Sequence, residues 1–268
     1  MYSGFPRFRP DRGRIVIKTE REIKLMMKAS EISAGVLSYA ESLISPGIST
    51  WELNREIGNF IKQRGAKPSF KGMYGFPGNA CISINQELIH GIPSKKRHLR
   101  EGDIISIDVG AFKDGFHGDN AATFICGGFG NYKIPDEVRR LVKTTESALS
   151  DAIKQCYSGN RIGDISHAVQ TRIEGEGYFI PDDFHGHGVG RELHEDPNIP
   201  NVGKPGRGTR LVPGMTIAIE PMVNSTTEKI RILRDEWTVV EGNGNLSAHF
   251  EHTVLITKSE PIVMTRLT

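Results

Sequence analysis

The sequence lacks a long apolar run, an excess of charge and a paired set of cysteines. No stretch approaches the roughly 20 consecutive apolar residues that span a bilayer, so we expect no transmembrane helix. Lys and Arg number 34 against 32 Asp and Glu, which leaves a formal net charge of +2 and no electrostatic case for nucleic acid or a membrane as the main partner. The three cysteines, Cys81, Cys126 and Cys156, are scattered and odd in number, which argues against a disulfide framework.

The first 14 residues differ in composition from the rest of the chain. MYSGFPRFRPDRGR has few apolar residues, a basic stretch over 7–14, and no apolar segment of the kind that a secretory signal contains. We expect a flexible, solvated arm over residues 1–14, with a ribosome or RNA contact as the alternative. A single catalytic domain is expected over residues 15–268, and the protein is expected to be cytoplasmic.

The rest of the chain repeats itself at an offset of 112 residues. Apolar residues and glycines coincide at this offset without a gap, and Asp108 coincides with Glu220. The other matched pairs are Gly47 and Gly159, Leu53 and Ile165, Ile57 and Val169, Ile61 and Ile173, Gly65 and Gly177, Leu99 and Leu211, Gly102 and Gly214, Ile105 and Ile217, and Ile107 and Ile219.

Each half has the pattern of two helices followed by strands. Apolar spacing predicts helices over residues 20–44, 50–64, 136–156 and 162–175. Gly65 and Gly177 stand where a helix C-cap glycine belongs. We therefore predict an α+β fold of two duplicated halves, about 20–130 and 132–265, related by a pseudo-twofold axis near which the acidic residues meet.

Four carboxylates and one imidazole lie in distinctive apolar or glycine-rich motifs. The motifs are ISIDVGAFKDGFHGDNAA with Asp108 and Asp119, HGHGVGREL with His187, TIAIEPMV with Glu220, and AHFEHTVLI with Glu251. Apolar runs of this kind are normally buried, and a buried charge must be paired. Two carboxylates about 4 Å apart repel by about 4 kcal/mol at an effective dielectric constant of about 20. Two divalent cations would balance four carboxylates, so the pattern predicts a dinuclear metal site.

A predicted hairpin relates two of these carboxylates. Residues 104–109 alternate in polarity before Lys113-Asp114-Gly115, which is a turn signal. A two-residue turn would pair Asp119 with Gly110, the same-face neighbour of Asp108, at a diagonal distance of about 7–8 Å that metal ions can bridge. A shift of one residue would instead turn Asp119 to the other face. The alternative makes Asp119 a turn cap and Asp108 a strand-end residue; the match of Asp108 with Glu220 favours the metal site.

Three histidines are candidates for roles at that site. His187 is flanked by glycines, which let a backbone approach a ligand closely. His90, in LIHGIP, and His194 are either solvated loop residues or proton donors beside the metals. A set of four carboxylates and one imidazole favours Mn, Fe or Co, with zinc left open.

These motifs resemble those of the type I methionine aminopeptidases, which have the pita-bread fold. The resemblance spans about residues 15–265 and rests on NACISINQELIHGIP, GDIISIDVGAFKDGFHGDNAATF, GHGVGRELHEDP, TIAIEPM and FEHTVLIT. It implies two pseudo-twofold-related halves around an antiparallel sheet, and the short segment before the core resembles bacterial members. The family's five ligands to two divalent metal ions correspond to Asp108, Asp119, His187, Glu220 and Glu251.

The resemblance also implies an activity. Members hydrolytically remove the N-terminal initiator methionine from nascent proteins, preferring a small second residue, with a water whose pKa the metals lower. Glu220 would serve as ligand and general base, His194 would stabilise the oxyanion, and His90 would bond to the scissile amide. The implied partners are N-terminal methionyl peptides and nascent proteins, with the ribosome as a place of contact. No membrane or specific nucleic acid is implied, and a monomer is expected to be active.

The pocket for the methionine side chain departs from the pattern of many bacterial members. Those carry a cysteine and tyrosines where this chain has Phe70, Met73 and Phe76. Leu193 replaces a common phenylalanine, and Trp237 is retained. The pocket stays apolar, so methionine is still the expected substrate side chain, while the width of the pocket is left open.

Asn85 and Ser247 match residues near a monovalent-cation site in relatives. The resemblance therefore adds a monovalent cation to the expected cofactors.

Two alternatives have the same fold. A proline-directed peptidase, similar to prolidase or aminopeptidase P, usually carries a large extra N-terminal domain, for which the residues before the core leave no room. A non-catalytic pita-bread module that binds protein or RNA would typically have lost metal ligands. This chain keeps all five, which favours the metalloaminopeptidase.

Overall fold

The computed structural model of the protein describes residues 15–131 and 133–266, and the arm predicted over residues 1–14 lies outside them. The described residues contain four α-helices and one short 3-10 helix at Met73–Gly75. The α-helices are α1 (Glu20–Leu43), α2 (Thr50–Gln63), α3 (Asp136–Ile153) and α4 (Ile162–Gly175). Within the same residues, none of the helices combines the length and the apolar character needed to cross a bilayer.

The described residues also contain 14 strands, and every pairing between them is antiparallel. The strands are β1 (Lys67–Pro68), β2 (Cys81–Ile84), β3 (Glu87–Ile89), β4 (Ile104–Lys113), β5 (Phe116–Ile125), β6 (Gly186–Gly188), β7 (Glu195–Ile199), β8 (Thr216–Ile219), β9 (Met222–Asn224), β10 (Ile230–Ile232), β11 (Val239–Glu241), β12 (Ser247–His249), β13 (Glu251–Leu255) and β14 (Ile262–Val263). The main sheet has the order β1-β4-β5-β13-β8-β6-β7, with β2 beside β4 and β14 beside β13. Smaller sheets have the orders β10-β11-β3 and β12-β9, and the predicted α+β class is confirmed.

The helix ends follow local sequence signals. Thr19 and Ser49 begin α1 and α2 with capping boxes, in which the hydroxyl accepts from a backbone N–H three residues later and a glutamate at that position accepts in return. Gly65 and Gly177 follow α2 and α4 with φ of +66° and +79°. Glycine adopts this left-handed conformation without the steric cost of a Cβ, so both predicted C-cap glycines are confirmed. The helix α3 ends at Ile153, three residues before the predicted end.

The backbone contacts of the first half recur 112 residues later in the second. The amide of Gly47 donates to the carbonyl of Leu99 at 2.8 Å. At the matching positions, the amide of Gly159 donates to the carbonyl of Leu211 at 3.0 Å. The matched helical residues are fully buried in both halves, and they are Leu53, Ile57 and Ile61 in α2 and Ile165, Val169 and Ile173 in α4. The predicted relation of the two halves is confirmed.

The two halves meet in the main sheet between β5 and β13. Ala121 of β5 pairs with Glu251 of β13 at this junction. The apolar residues of β4 pack with those of α1 and α2, and the apolar residues of β8 and β13 pack with those of α3 and α4. Because side chains alternate between the faces of a strand, residues such as Asp108, between the core residues Ile107 and Val109, point to the face away from the helices.

Close packing of α1 on β5 depends on Gly118. A Cβ at this position would lie 2.5 Å from the backbone N and Cα of Ser30. Because neither atom can move without the helix, Gly118→Ala should lower the free energy of unfolding by about 1–3 kcal/mol, the usual cost of overpacking. Urea denaturation measures this change.

Gly130→Ala is the matched control, since a Cβ there would meet no atom within 4 Å. We expect it to change the free energy of unfolding by no more than about 0.5 kcal/mol. Equal stability of the two variants would show that the contact between α1 and β5 is looser than described.

Candidate metal centre

Strand register places the five predicted metal ligands on two neighbouring rows of one sheet face. In the first row, Asp108 pairs with Ala121, and Ala121 pairs with Glu251. Glu220 directly follows β8, which lies beside β13, and so continues this row next to Glu251. Three of the four carboxylates therefore lie in one row across the sheet, with Ala121 between Asp108 and Glu251.

The second row lies two residues along the strands and carries the other two ligands. Gly110 pairs with Asp119, and the hydroxyl of Thr253 donates to the carbonyl of Asp119 at 2.8 Å. Ala218 pairs with both Thr253 and His187, which extends the row to β6. Because the two rows are separated by two residues, all five side chains share one face.

The hairpin between β4 and β5 has the predicted two-residue turn. Lys113 pairs with Phe116, and the two residues between them have positive φ, 51° at Asp114 and 85° at Gly115. This conformation matches the right-handed twist of the strands. The structure thus excludes both the shifted register and the assignment of Asp119 to a turn cap.

The side chains of the second row converge with Glu251. One ligand atom from each of Asp119, His187 and Glu251 lies within 4.8 Å of the other two. His187 Nε2 lies 3.8 Å from Asp119 Oδ2 and 3.6 Å from Glu220 Oε1. Asp119, His187 and Glu251 are 3%, 6% and 2% exposed, so water contributes little to the solvation of these groups.

The carboxylates of the centre have no basic partner other than histidine among the described residues. The buried atoms Asp108 Oδ1, Asp119 Oδ1 and Glu251 Oε1 accept no hydrogen bond within that part of the chain. Burial raises the pKa of Asp108 and of Glu220 to about 7. Burial, together with repulsion from the neighbouring carboxylates, raises the pKa of Asp119 and Glu251 well above the ordinary range.

These residues fit a divalent metal ion. Unpaired buried carboxylates are costly unless protons or cations neutralise them. Carboxylate oxygens and neutral imidazole nitrogens are ligands that several transition metals accept. Burial lowers the pKa of His187 to about 4, which keeps the ring neutral. Its Nδ1 lies 2.8 Å from the carbonyl of Gly188, an orienting contact typical of metal-binding histidines that leaves Nε2 facing the carboxylates.

The glycines around His187 serve the sheet. A Cβ at Gly186 would lie 2.3 Å from the carbonyl oxygen of Ala218, and one at Gly188 would lie 2.3 Å from that of Asp196. Both contacts are to neighbouring strands. Neighbouring strands therefore account for both glycines, and the predicted close approach to a ligand stays a prediction.

His194 and His90 are half-buried, and their rings pack against His187 of the centre and Trp237 of the apolar cluster, respectively. The ring of His194 is nearly perpendicular to that of His187, with the ring centroids 4.4 Å apart. The ring of His90 lies 5.8 Å from that of Phe184 and 6.3 Å from that of Trp237. Burial lowers the pKa of His90 and of His194 to about 4, so both are neutral at physiological pH.

The five apolar residues predicted for the substrate pocket form one cluster. Phe70, Phe76 and Leu193 are buried in it, and Met73 and Trp237 pack against them. The rings of Phe76 and Trp237 meet edge to face with centroids 5.1 Å apart. The residues predicted to line the pocket are thus packed together, and their role in holding a substrate side chain stays a prediction.

Cys81 also belongs to this cluster, although the sequence indicated only a scattered cysteine. Cys81 of β2 pairs directly with Asp108 of β4, which sets the apolar cluster beside the first row of carboxylates. The signal that could have found it is the pairing of CISI with ISID, two short alternating runs. That pairing is long-range, and no local pattern specifies its register.

His249 is a second residue that the sequence analysis missed. Its Nε2 lies 3.5 Å from Glu220 Oε2, while Glu220 Oε1 faces His187. His249 precedes Glu251 by two residues, so strand alternation alone would have placed both on the same face. Glu220 therefore stands between two imidazoles.

Asn85 and Ser247, the residues predicted near a monovalent cation, are in contact. The amide of Ser247 donates to the carbonyl of Asn85 at 2.9 Å. The Ser247 hydroxyl donates to Asn224 Oδ1 at 2.8 Å. The structure brings the pair together, and the cation itself stays a prediction.

Comparison with known proteins identifies the family. Residues 24–258 match the model of metallopeptidase family M24. The chain is 47% identical over 251 residues to a methionine aminopeptidase of Clostridium perfringens, covering 94% of this chain and 98% of the relative. It is 46% identical over 253 residues to methionine aminopeptidase 1 of Bacillus subtilis, covering 94% of this chain and 100% of the relative.

Solved structures of the same family also match the chain. A crystal structure of methionine aminopeptidase from Thermotoga maritima matches with a TM-score of 0.91 at 42% identity, over 95% of this chain and 100% of that one. A prolidase from Pyrococcus furiosus matches with a TM-score of 0.76 at 26% identity, over 94% of this chain and 66% of that one. The chain belongs to metallopeptidase family M24 and, within it, to the methionine aminopeptidases. The predicted pita-bread fold and the assignment as a metal-dependent aminopeptidase are confirmed.

Metal binding at this centre should depend on pH. Before a cation binds, the raised pKa values of Asp108, Asp119, Glu220 and Glu251 keep protons on the centre at pH 6.5, and a metal ion must displace them. We expect the apparent affinity for Mn²⁺ to rise about tenfold per pH unit between pH 6 and pH 7 for each proton released. Histidines with a pKa of about 4 do not titrate in this range.

Calorimetry in two buffers that differ in ionisation enthalpy measures the protons released. At least one should leave per binding event at pH 6.5. Because folding raises these carboxyl pKa values, the stability that protonation provides is lost as the pH rises through 7, and bound metal should restore it. An affinity that is constant from pH 6 to pH 8 would contradict the electrostatic description of the centre.

Proposed function

We propose that the protein hydrolytically removes the N-terminal methionine from peptides and nascent proteins. The observation that carries the proposal is the pairing of Cys81 with Asp108, because it joins an apolar pocket to a row of metal-binding carboxylates. The similarity to methionine aminopeptidases over 94% of the chain supports the same substrate. A preference for a small second residue is part of the proposal.

Two divalent ions are the proposed cofactors, held by Asp108, Asp119, His187, Glu220 and Glu251. When bound, such ions lower the pKa of water and polarise a carbonyl group. The donor set of carboxylates and one imidazole suits Mn, Fe or Co, and zinc is a further candidate. A monovalent cation near Asn85 and Ser247 belongs to the same proposal.

Side chains of the protein transfer the proton of the attacking water and stabilise the charge that develops on the substrate. Glu220 takes the proton of the attacking water, and its position between His187 and His249 supports this role. A neutral imidazole always keeps one N–H donor. His194 therefore donates to the oxyanion that develops on the scissile carbonyl, and His90 bonds to the scissile amide.

The apolar cluster receives the methionine side chain. Phe70, Met73, Phe76, Leu193 and Trp237 supply apolar surface on several sides, which suits an unbranched thioether. The domain that carries out the reaction spans residues 15–268 and acts as a monomer. Nascent chains at the ribosome in the cytoplasm are the proposed physiological substrates.

Glu220→Gln should lower the kcat for a Met-Ala-Ser peptide by about 10²–10⁴-fold, since the amide keeps the shape of the side chain but cannot take a proton. Chromatography of released methionine measures the rate. Glu228→Gln is the matched control, because Glu228 is an exposed glutamate outside the centre, and should keep full activity. Chelation should abolish activity, and added metal should restore it; turnover by the metal-free protein would contradict the mechanism.

Substrate choice separates the proposal from its alternatives. Met-Ala-Ser and a Xaa-Pro peptide are assayed with Mn, Fe, Co and Zn in turn. We expect release from Met-Ala-Ser to exceed release from the Xaa-Pro peptide by at least about tenfold, the scale of discrimination that one apolar pocket provides. Preferential cleavage of the Xaa-Pro peptide would favour the proline-directed enzyme. Metal binding with no hydrolysis of either peptide would favour the non-catalytic module.

A further inference from the structure

The turn over residues 190–195 carries two residues of the proposed site. Leu193 is buried in the apolar cluster, and His194 places its ring 4.4 Å from that of His187. The turn joins β6, which holds His187, to β7, which begins at Glu195. Its conformation therefore sets where two proposed substrate-contacting side chains lie.

Glu195 closes this turn with its carboxylate. Oε1 accepts from the backbone N–H of Arg191 at 2.8 Å and from that of Glu192 at 3.3 Å. The carbonyl of Glu192 in turn accepts from the amide of Gly190 at 3.0 Å. One side chain at the end of the turn thus fixes the backbone at its beginning, with Leu193 and His194 between the two fixed points.

Lys18 holds the other oxygen of that carboxylate. Its Nζ donates to Glu195 Oε2 at 2.5 Å and to the carbonyl of Val16 at 3.3 Å. The side chains of Lys18 and Glu195 are only 2% and 10% exposed. Two charges buried to this degree are strongly coupled, since either one alone would be left unpaired in a poorly solvated place.

The ion pair packs closely against the backbone of Gly190. A Cβ at Gly190 would lie 2.4 Å from Glu195 Oε1 and 2.6 Å from Lys18 Cε. The carbonyl of Gly190 accepts from the amide of His117 in β5 at 2.8 Å, and the amide of Lys18 donates to the carbonyl of Gly214 at 2.8 Å. A change in the ion pair is therefore passed on to the backbone of the turn.

We propose that the Lys18–Glu195 ion pair is a positioning device for the reaction, which holds the 190–195 turn so that His194 faces the oxyanion. The inference rests on the proposed function. It assigns a role in the active site to Lys18, which precedes the residues 24–258 that match the family model. Lys18 touches neither substrate nor metal in this proposal and acts through Glu195 and the turn.

A double-mutant cycle with His194 tests the proposal. Lys18→Met keeps an unbranched side chain that is one atom shorter and removes its charge. In the metal-loaded enzyme, we expect it to lower kcat for Met-Ala-Ser by about tenfold or more and to change KM by less than about threefold, since misplacement of a catalytic group costs chiefly turnover. In a His194→Ala background, Lys18→Met should lower kcat by less than about twofold, because the group that it positions is already gone.

Two further variants serve as controls, and a third replaces Lys18→Met if that variant does not fold. Lys143→Met breaks an exposed ion pair with Glu146 on α3 and should change neither kcat nor KM. Lys18→Arg retains the charge and should recover most of the lost kcat. If Lys18→Met does not fold, as thermal unfolding would show, Glu195→Gln removes the ion pair while keeping a carbonyl acceptor for the turn, and the same cycle applies to it.

A readout without turnover accompanies the kinetics. In the metal-free protein, the imidazole resonances of His194 should shift in Lys18→Met and stay unchanged in Lys143→Met. Equal losses of kcat in the wild-type and His194→Ala backgrounds, or unshifted His194 resonances, would overturn the positioning role. Failure of the metal-loaded wild type to release methionine would instead overturn the proposed function, and the resonances would still decide whether the ion pair orients His194.

Discussion

Asp108, Asp119, Glu220 and Glu251 share one face of the central sheet, and within the described residues they meet histidines but no lysine or arginine in an ion pair. Burial of the charged groups opposes this arrangement and is the largest cause of their raised pKa values, and repulsion between carboxylates adds to it at Asp108, Asp119 and Glu251. Divalent cations would make the arrangement favourable, because each cation can bind several carboxylate oxygens and neutralise their charge. The rigid strands also hold the carboxylates close together. On a flexible backbone, repulsion would move them apart and into contact with water.

Duplication explains how one sheet can gather these groups. Ala121 and Glu251 pair where the two halves meet, and Asp108 and Glu220 stand on either side of them in the same row. Every strand of this row is joined to its neighbours by antiparallel hydrogen bonds, which makes the spacing of the carboxylates a property of the backbone. The cores under the two halves have matching residues, so both sides of the row rest on similar apolar packing.

The centre is nevertheless asymmetric. Ala121 and Glu251 pair where the halves meet, so they occupy equivalent positions about the pseudo-twofold axis. Two residues before them stand Asp119 in one half and His249 in the other. The axis therefore relates a carboxylate to an imidazole. The side chain of His187 reaches from β6 toward Asp119, while the apolar cluster and Cys81 lie on the β2 side of Asp108. The duplicated sheet thus has the metal-binding side chains at one side of this row and the apolar cluster at the other. A peptide whose first residue fills the pocket would then present its first amide bond to the metal group.

Local signals in the sequence were sufficient to predict the helices, the hairpin at Asp114-Gly115 and the shared face of Asp108 and Asp119. Helix caps, turn residues and strand alternation act over a few positions, so a short stretch of sequence contains them. The five metal ligands were predicted from their motifs and then matched by the family resemblance, which alone supplied the apolar pocket. The strand register shows why these residues converge. Cys81 was missed because its pairing with Asp108 is long-range. Lys18 was missed because a single lysine near the start of the chain carries no pattern, and its importance comes only from burial against Glu195.

Anomalous diffraction from a crystal of the wild-type protein grown with Mn²⁺ would show whether the carboxylate face binds metal, because it locates the ions without reference to activity. We expect anomalous peaks on the carboxylate face of the main sheet, within coordination distance of Asp119, His187 and Glu251. A fully metal-loaded crystal with no anomalous density between these side chains would contradict this expectation.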